Sequence, residues 1–408
     1  MDNRRSFIQK LAIGGVGISS LASLDHFKPD WDGSNWDEIK AQFPIANAPL
    51  INLNSGSAGS MPFSVLETYL KETEKFNTNP LYLEKSSRME EFEFALKRLA
   101  RFMDCSAENL VLTKNTTESL NSIIWGYPLK STDNIIIADA DYAYVQTGFE
   151  NRALKEGFEV KRLNYRPAEI SDEEIVNTYI QAMDINTKLI VVSMITPREG
   201  QLLPAREIIQ AAHERGIEVL IDGAHTLGHC EVSIKNLNCD YFAGCLHKWM
   251  NAPHGLGVLY VKEEHIEKID PPMFPFDQAR DKIMGKYTFS GTIGYQKIFT
   301  LNEVMNFNER INLTDKIDRL KYLSQYWQDR IKDIPGVSIV SDAKRNIALG
   351  GFRIKDTPSI IKSLREQFQI NIKKTAYPEG SFYRISSNIF IDEVDMDKFI
   401  AAIEMKAQ

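Results

Sequence analysis

The chain reads as an α/β protein: a large domain with a mostly parallel sheet flanked by helices, then a smaller C-terminal α+β domain. Two observations predict this. From about Val111 to Val261, short apolar runs alternate with helical patterns, as expected when helices cover both faces of a parallel sheet. After Pro271-Pro272 the alternation gives way to one long helical stretch and then to mixed strands and helices. At 408 residues the chain is long enough for a large core and a second domain.

Taken in order, the strands expected in the large domain are Asn134–Ala138, Val160–Leu163, Leu189–Ser193, Glu218–Ile221, Asp240–Ala243 and Gly257–Val261. Helical patterns fall between them, among them Asp172–Met183 and Ala205–Arg215. Pro204 precedes the second of these and Gly216 follows it, the residues that helix ends favour. Beyond them, a helix is predicted from Tyr295 to Lys332. Strands follow at Val337–Val340 and Ile347–Arg353, then a helix at Pro358–Gln367. Strands at Ile370–Thr375 and Phe382–Ile385 and a last helix from Asp395 complete the pattern.

The bulk numbers exclude more than they identify. Hydrophobic residues at 43% and charged residues at 25% are ordinary for a soluble globular chain. A net charge of −7 leaves no basic footprint, so nucleic acid is not an expected partner. Four cysteines, Cys105, Cys230, Cys239 and Cys245, are too few and too irregular for a disulfide framework. The N-terminus is more specific. Arg4-Arg5, with Phe7 two residues on, precedes the uncharged, mildly apolar run Leu11–Leu24. This resembles a twin-arginine export signal, with cleavage expected after Ser20-Leu21-Ala22. With Gly14, Gly15 and Gly17 the run is too short and too glycine-rich for a stable membrane anchor. The expected divisions are a signal over 1–24, an N-terminal segment over 25–60, a large domain over 61–294 and a small domain over 295–408. The expected location is the periplasm or beyond, reached through the twin-arginine export machinery.

Two residues carry the chemistry. Asp222 ends the run Val219-Leu220-Ile221, and Lys248 follows Gly244-Cys245-Leu246-His247. Both fall at the carboxyl ends of expected strands, where open α/β sheets collect their ligands. A carboxylate and an amine delivered there together suit pyridoxal 5'-phosphate (PLP): the amine forms a Schiff base with the aldehyde, and the carboxylate pairs with the ring nitrogen. A close carboxylate favours the protonated ring by about 1–3 pKa units, roughly 1.4 kcal/mol each. Lys248 must shed its own proton to act as nucleophile and base, which desolvation promotes. A third feature is Val111-Leu112-Thr113-Lys114-Asn115-Thr116-Thr117-Glu118, read as strand, turn and helix. Asn115 and Glu118 have capping-box spacing. The helix N-terminus they open is a ready phosphate site, with the Thr116 and Thr117 hydroxyls as added donors.

The surroundings of these residues resemble the class V branch of the fold-type I PLP-dependent transferases, in particular the isopenicillin-N-epimerase-like group. The matching segments are Ile221-Asp222-Gly223-Ala224-His225-Thr226-Leu227-Gly228-His229 and Cys239 to Tyr260, and the likeness extends over nearly all of the chain after the signal. The resemblance implies that Lys248 is the Schiff-base lysine and catalytic base, and that Asp222 holds the ring nitrogen. It implies that His225 lies near the ring, that His247 donates to the phosphate and that Thr116 and Thr117 form the phosphate loop. Tyr142 is implied to stack on the ring, with Tyr144 a weaker candidate. Phe289-Ser290-Gly291-Thr292 resembles the segment that reaches the neighbouring subunit's phosphate, so Thr292 implies a homodimer. Arg384 matches the arginine that grips the substrate's α-carboxylate through its planar fork, although Ser387 and Phe390-Ile391 depart from the usual surroundings. Asn54, in the segment that crosses the site mouth, is a candidate substrate contact.

His225, His229, Cys230, Cys239, Cys245, His247 and His254 crowd one stretch, but no Cys-x-x-Cys is present and the spacing fits no familiar zinc pattern. No metal is expected. For the reaction, the leading expectation is an aminotransferase acting on a small amino-group substrate. An epimerase or C–S lyase with the same first step is the alternative, and a non-catalytic binding protein on the same fold is the alternative of another class. A desulfurase that forms a persulfide needs a cysteine in the C-terminal third, and none follows Cys245.

Overall fold

The computed structural model describes residues 30–80, 86–270, 293–355 and 360–407. The expected export signal lies outside the described residues. The chain folds around a seven-stranded sheet in the order β2-β8-β7-β6-β5-β3-β4. Its strands are β2 (Leu110–Thr113), β3 (Asn134–Ala138), β4 (Glu159–Leu163), β5 (Thr187–Ser193), β6 (Glu218–Gly223), β7 (Tyr241–Cys245) and β8 (Gly257–Val261); a short β1 (Ile51–Asn52) precedes them. All pairings are parallel except those of β8, which runs antiparallel to both neighbours, β2 and β7.

Burial on both faces explains why these strands read as continuous apolar runs rather than alternating ones. Successive side chains point to opposite faces. Ile136, Ile190, Val192, Val219 and Ile221 enter one core together with Ile175, Tyr179, Ile208 and Ile209 from the helices Asp172–Ala182 and Ala205–His213. Ile135, Ile137, Leu189, Val191 and Leu220 enter the other, packed on Leu120, Ile123 and Phe149 from the helices Thr116–Gly126 and Ala143–Glu156. Replacing any one of these buried isoleucines by alanine costs about 2–5 kcal/mol.

A four-stranded antiparallel sheet in the order β12-β13-β10-β9 forms the second layer system. It comprises β9 (Val337–Ile339), β10 (Leu349–Ile354), β12 (Lys373–Tyr377) and β13 (Gly380–Ser386). Between them β11 (Ile370–Asn371) pairs in parallel with β1, tying the N-terminal segment to the C-terminal part of the chain. Here the local pattern misled in two places. The expected helix Tyr295–Lys332 is three helices, Tyr295–Phe299, Leu301–Arg310 and Leu313–Ile331. Asn312 interrupts it by capping the third with its side chain on the Thr314 amide at 2.8 Å. The expected strand Ile370–Thr375 is split, because its first half pairs with β1 and its second with β13. Among the described residues no helix is long and apolar enough to cross a membrane.

Candidate active site

β6 and β7 are adjacent parallel strands, with Asp222 opposite Ala243 and Gly223 opposite Gly244. Their carboxyl ends therefore share one edge of the sheet. A cavity of ≈ 520 Å³ opens there. Asp222, His225, His247, Lys248, Thr116, Thr117, Tyr142 and Arg384 all line it. Gly223 keeps this edge narrow: a Cβ at that position would come within 2.2 Å of the Phe242 ring.

The segment carrying Lys248 is fixed by its backbone. Gly59 N–H donates to His247 O at 2.9 Å, Asn388 to Lys248 O at 3.3 Å, Lys316 to Trp249 O at 2.6 Å and Asn308 to Met250 O at 2.9 Å. Gly59 approaches so closely that an added Cβ would lie 2.2 Å from Lys248 O. Burial lowers the Lys248 amine below its ordinary pKa, opposed by the Cys245 thiol and Asp222 and aided by Arg384. Its Nζ lies 3.4 Å from His225 Nε2. His225 Nδ1 faces the Trp249 indole N–H, also at 3.4 Å. An indole can only donate, so Nδ1 is the acceptor and the neutral ring carries its proton on Nε2. Burial, then Lys248 and Arg384, holds His225 well below the usual histidine range, in keeping with that neutral form.

Asp222 is buried, and its Oδ1 accepts one hydrogen bond from Ala224 N–H at 3.0 Å. Burial raises its carboxyl, while the Ala224 amide and Lys248 pull it back. Two strands along, just past the end of β3, Asp141 is also buried. It accepts from Ala138 N–H at 2.8 Å and Ser193 N–H at 2.7 Å, cross-bracing β3 and β5. Burial pushes this carboxyl up to about 6 against those amides.

Across the cavity the helix Thr116–Gly126 begins. Asn115 caps it, accepting from Glu118 N–H at 2.9 Å. The expected capping box is only half formed, because the Glu118 carboxylate reaches back to Lys114 N–H rather than to Asn115. The first amides of such a helix have no intrahelical acceptor. Thr116 Oγ1 is sealed from bulk water without an ordinary hydrogen-bond partner, and the Cys245 thiol faces it. His247 Nδ1 contacts Leu256 O at 3.3 Å, and burial lowers its pKa to about 4, so the ring is neutral. Tyr142 occupies the turn before the helix Ala143–Glu156. Tyr144 is 68% exposed and does not line the cavity.

Arg384 is buried on β13. It donates to Pro197 O at 2.7 Å, Asn54 Oδ1 at 2.9 Å and Ser57 Oγ at 3.2 Å, while its Nε has no partner. All three acceptors are neutral, and burial lowers the guanidinium to about 10. Asn54 is not among the cavity-lining residues; its Oδ1 accepts a hydrogen bond from Arg384. Thr292 lies outside the described residues. His229 stacks on Trp249 at 4.1 Å and bonds His225 O and Ala348 N–H. Among the described residues no group of three or more His, Cys, Asp or Glu is placed to hold a metal.

Cys245 and His254, considered from the sequence only as metal ligands, also line the cavity, as does Lys373, which no motif marks. Asp141, adjacent to Tyr142, carried no sequence signal either. Only strand pairing could have found Lys373: it is the Cα partner of Arg384.

Comparison with known proteins bears on this arrangement. A family model described as Aminotransferase class-V matches residues 51–381. Isopenicillin N epimerase of Streptomyces clavuligerus is 24% identical over 391 residues, covering 91% of this chain and 98% of that protein. A probable cysteine desulfurase of Halalkalibacterium halodurans is 27% identical over 344 residues, covering 79% and 83%. Among solved structures, the cystine C–S lyase C-DES in complex with its product cysteine persulfide matches with a TM-score of 0.81 at 20% identity, covering 90% of this chain and all (100%) of that one. A C-DES variant with glycine covalently linked to its PLP cofactor matches at 0.80 and 20% identity, covering 90% and 98%. The expected α/β architecture is thus shared with solved proteins over nearly the whole chain.

Proposed function

The chain belongs to the aminotransferase class-V family, whose enzymes work with PLP, and we propose that it is an aminotransferase acting on an α-amino acid, with Lys248 as both Schiff-base lysine and catalytic base. The observation that carries the reading is the meeting of Lys248, a buried Asp222 and a buried Arg384 without a carboxylate partner in one cavity.

The residues fit the cofactor. The unsatisfied Thr116 hydroxyl at a helix N-terminus suits a phosphate; His247, whose Nδ1–H is turned to Leu256 O, must gain a proton on Nε2 to donate to one. A buried carboxylate with one hydrogen bond suits a cationic ring nitrogen, which would favour its ionised form. Bound there, PLP supplies an aldehyde for amines and a ring that draws electrons from Cα. The protein's own groups do the rest. Arg384, oriented by hydrogen bonds to Pro197 O, Asn54 Oδ1 and Ser57 Oγ, takes the α-carboxylate and fixes which substrate bond faces Lys248. Burial favours the neutral Lys248 amine, which can accept the Cα proton. His225 Nε2–H, beside that amine, steadies the neutral base by donating to it. Tyr142 covers the cavity from the β3 side.

Transamination needs a single base that moves a proton from one carbon to another, and Lys248 is such a base. Epimerisation is the second reading. The Streptomyces clavuligerus relative named for that reaction is matched over 98% of its length. Tyr142, whose hydroxyl burial holds protonated, offers a second proton donor on the same cavity. A desulfurase that carries a persulfide on its own cysteine is disfavoured because no cysteine follows Cys245. Export through the twin-arginine pathway, on the strength of Arg4-Arg5 and the run Leu11–Leu24, and assembly as a homodimer with Thr292 reaching the partner site, belong to the same proposal.

The test is incubation of the purified holoenzyme with a panel of α-amino acids in deuterated water. Conversion of the cofactor to its amine form with release of a 2-oxo acid supports transamination. Deuterium at Cα without that conversion supports epimerisation, and a 2-oxo acid released with sulfide or sulfinate supports lysis. No exchange, conversion or lysis with any member refutes the amino-acid reading.

A further inference from the structure

Lys373 and Arg384 are Cα partners on the antiparallel strands β12 and β13, and both side chains line the cavity. Residues directly opposite on one face of such a pair have Cβ atoms about 4.5–5.5 Å apart, and like charges so placed destabilise the pairing. On the other side of Arg384 the partner is Gly351, which brings no side chain. Among the described residues no acidic group pairs with either cation. Arg384 bonds only neutral acceptors, and among the described residues Lys373 makes no hydrogen bond or ion pair. Among the described residues Asp222 is the one carboxylate lining the cavity, against Lys248, Lys373 and Arg384.

We infer that the site selects an amino acid bearing a second anionic group, a side-chain carboxylate, sulfonate or phosphate, with Lys373 binding that group while Arg384 binds the α-carboxylate. This rests on the amino-acid reading above and sharpens it. A monoanionic amino acid would neutralise Arg384 and leave Lys373 facing a filled site without a partner. A dianionic one places one negative charge against each cation and relieves the repulsion between them. Lys373 lines the cavity while staying exposed to solvent; partial desolvation, then Arg384 and Lys248, draws its amine down to about 8. It is still mostly charged at neutral pH. Lys374, the next residue, pairs with Tyr383, and strand alternation turns it to the other face of the sheet. It does not line the cavity.

The experiment measures binding of matched pairs to the holoenzyme by titrating its visible absorption: L-glutamate against L-glutamine, L-aspartate against L-asparagine, and O-phospho-L-serine against L-serine. In the wild type, at least one anionic member binds tenfold or more tightly than its neutral partner. Lys373→Met removes that preference, Lys373→Arg retains it and Lys374→Met leaves it unchanged. Neutral members that bind as tightly as anionic ones, or a preference that survives Lys373→Met, overturn the inference and leave the amino-acid reading intact. A wild type that responds to no member of any pair overturns both.

Discussion

Lys316 offers a quantitative check on how the Lys248 segment is held. Its amine is buried behind the site, on Trp249 O at 2.6 Å and Asn308 Oδ1 at 3.1 Å. Burial lowers its pKa from 10.5 to about 7. Between those two values the unfolded chain keeps a proton that the folded chain has shed. The unfolded state therefore binds more protons there, and the contribution of Lys316 to stability rises with pH from about 7 to 10.5. The rise approaches 1.4 kcal/mol per pH unit in the middle of the window, or about 2–3 kcal/mol between pH 7.5 and 9.5. Lys316→Met abolishes this contribution. It also leaves two buried acceptors unpaired, a pH-independent loss of about 1–3 kcal/mol each. Urea unfolding of wild type and Lys316→Met at pH 7.5, 8.5 and 9.5 separates the two effects. The stability gap between the proteins should widen in favour of the wild type by about 2–3 kcal/mol across that range. Other titrating groups are common to both and cancel in the difference. A gap that stays constant would mean that Lys316 keeps an ordinary pKa in the fold, and the packing argument behind the Trp249 carbonyl would fail.

Three further outcomes follow from the site. Arg384→Met removes the α-carboxylate's charged donors and should lower kcat/KM by about 10–100-fold, from roughly 1.5–3 kcal/mol per hydrogen bond to a charged group, while the cofactor's visible band persists; an unchanged KM would remove Arg384 from substrate binding. Gly59→Ala forces a methyl against Lys248 O, where only 2.2 Å is available, so the variant should lose cofactor affinity in equilibrium dialysis, and wild-type affinity would show that this crossing is unimportant. Residues 1–24 fused to a reporter should carry it across the inner membrane in a manner lost on Arg4→Lys/Arg5→Lys; export that survives the double change would contradict the twin-arginine reading.

What was legible in the sequence was local. Asp222 and Lys248 stood out because each follows an apolar run at a strand's carboxyl end, and the cavity opens at that edge. Thr116 and Thr117 stood out because an N-cap announces a helix start, although the reciprocal half of the cap went to Lys114 instead. Properties that depend on register or long-range packing were not legible. Lys373 carries no motif and becomes notable only when β12 pairs with β13. Lys316 reads as a surface lysine on an amphipathic helix until Trp249 is packed against it. Asn54 was recognised as a mouth residue, but whether it would face substrate or Arg384 depended on a contact 330 residues away in sequence. The long predicted helix breaks twice, at Thr300 and at Asn312, and only the second break carries a side-chain cap, on the Thr314 amide.

The central claim is that Lys248 and Asp222 together make a PLP site. The direct measurement is the visible absorption of the purified protein before and after borohydride, with Lys248→Ala alongside. Wild type should be yellow and bleach on reduction, with the label recovered on Lys248 by peptide mass mapping, and Lys248→Ala should lack that reducible band. A wild type whose spectrum is unaffected by borohydride, or a label on any residue other than Lys248, would contradict the account.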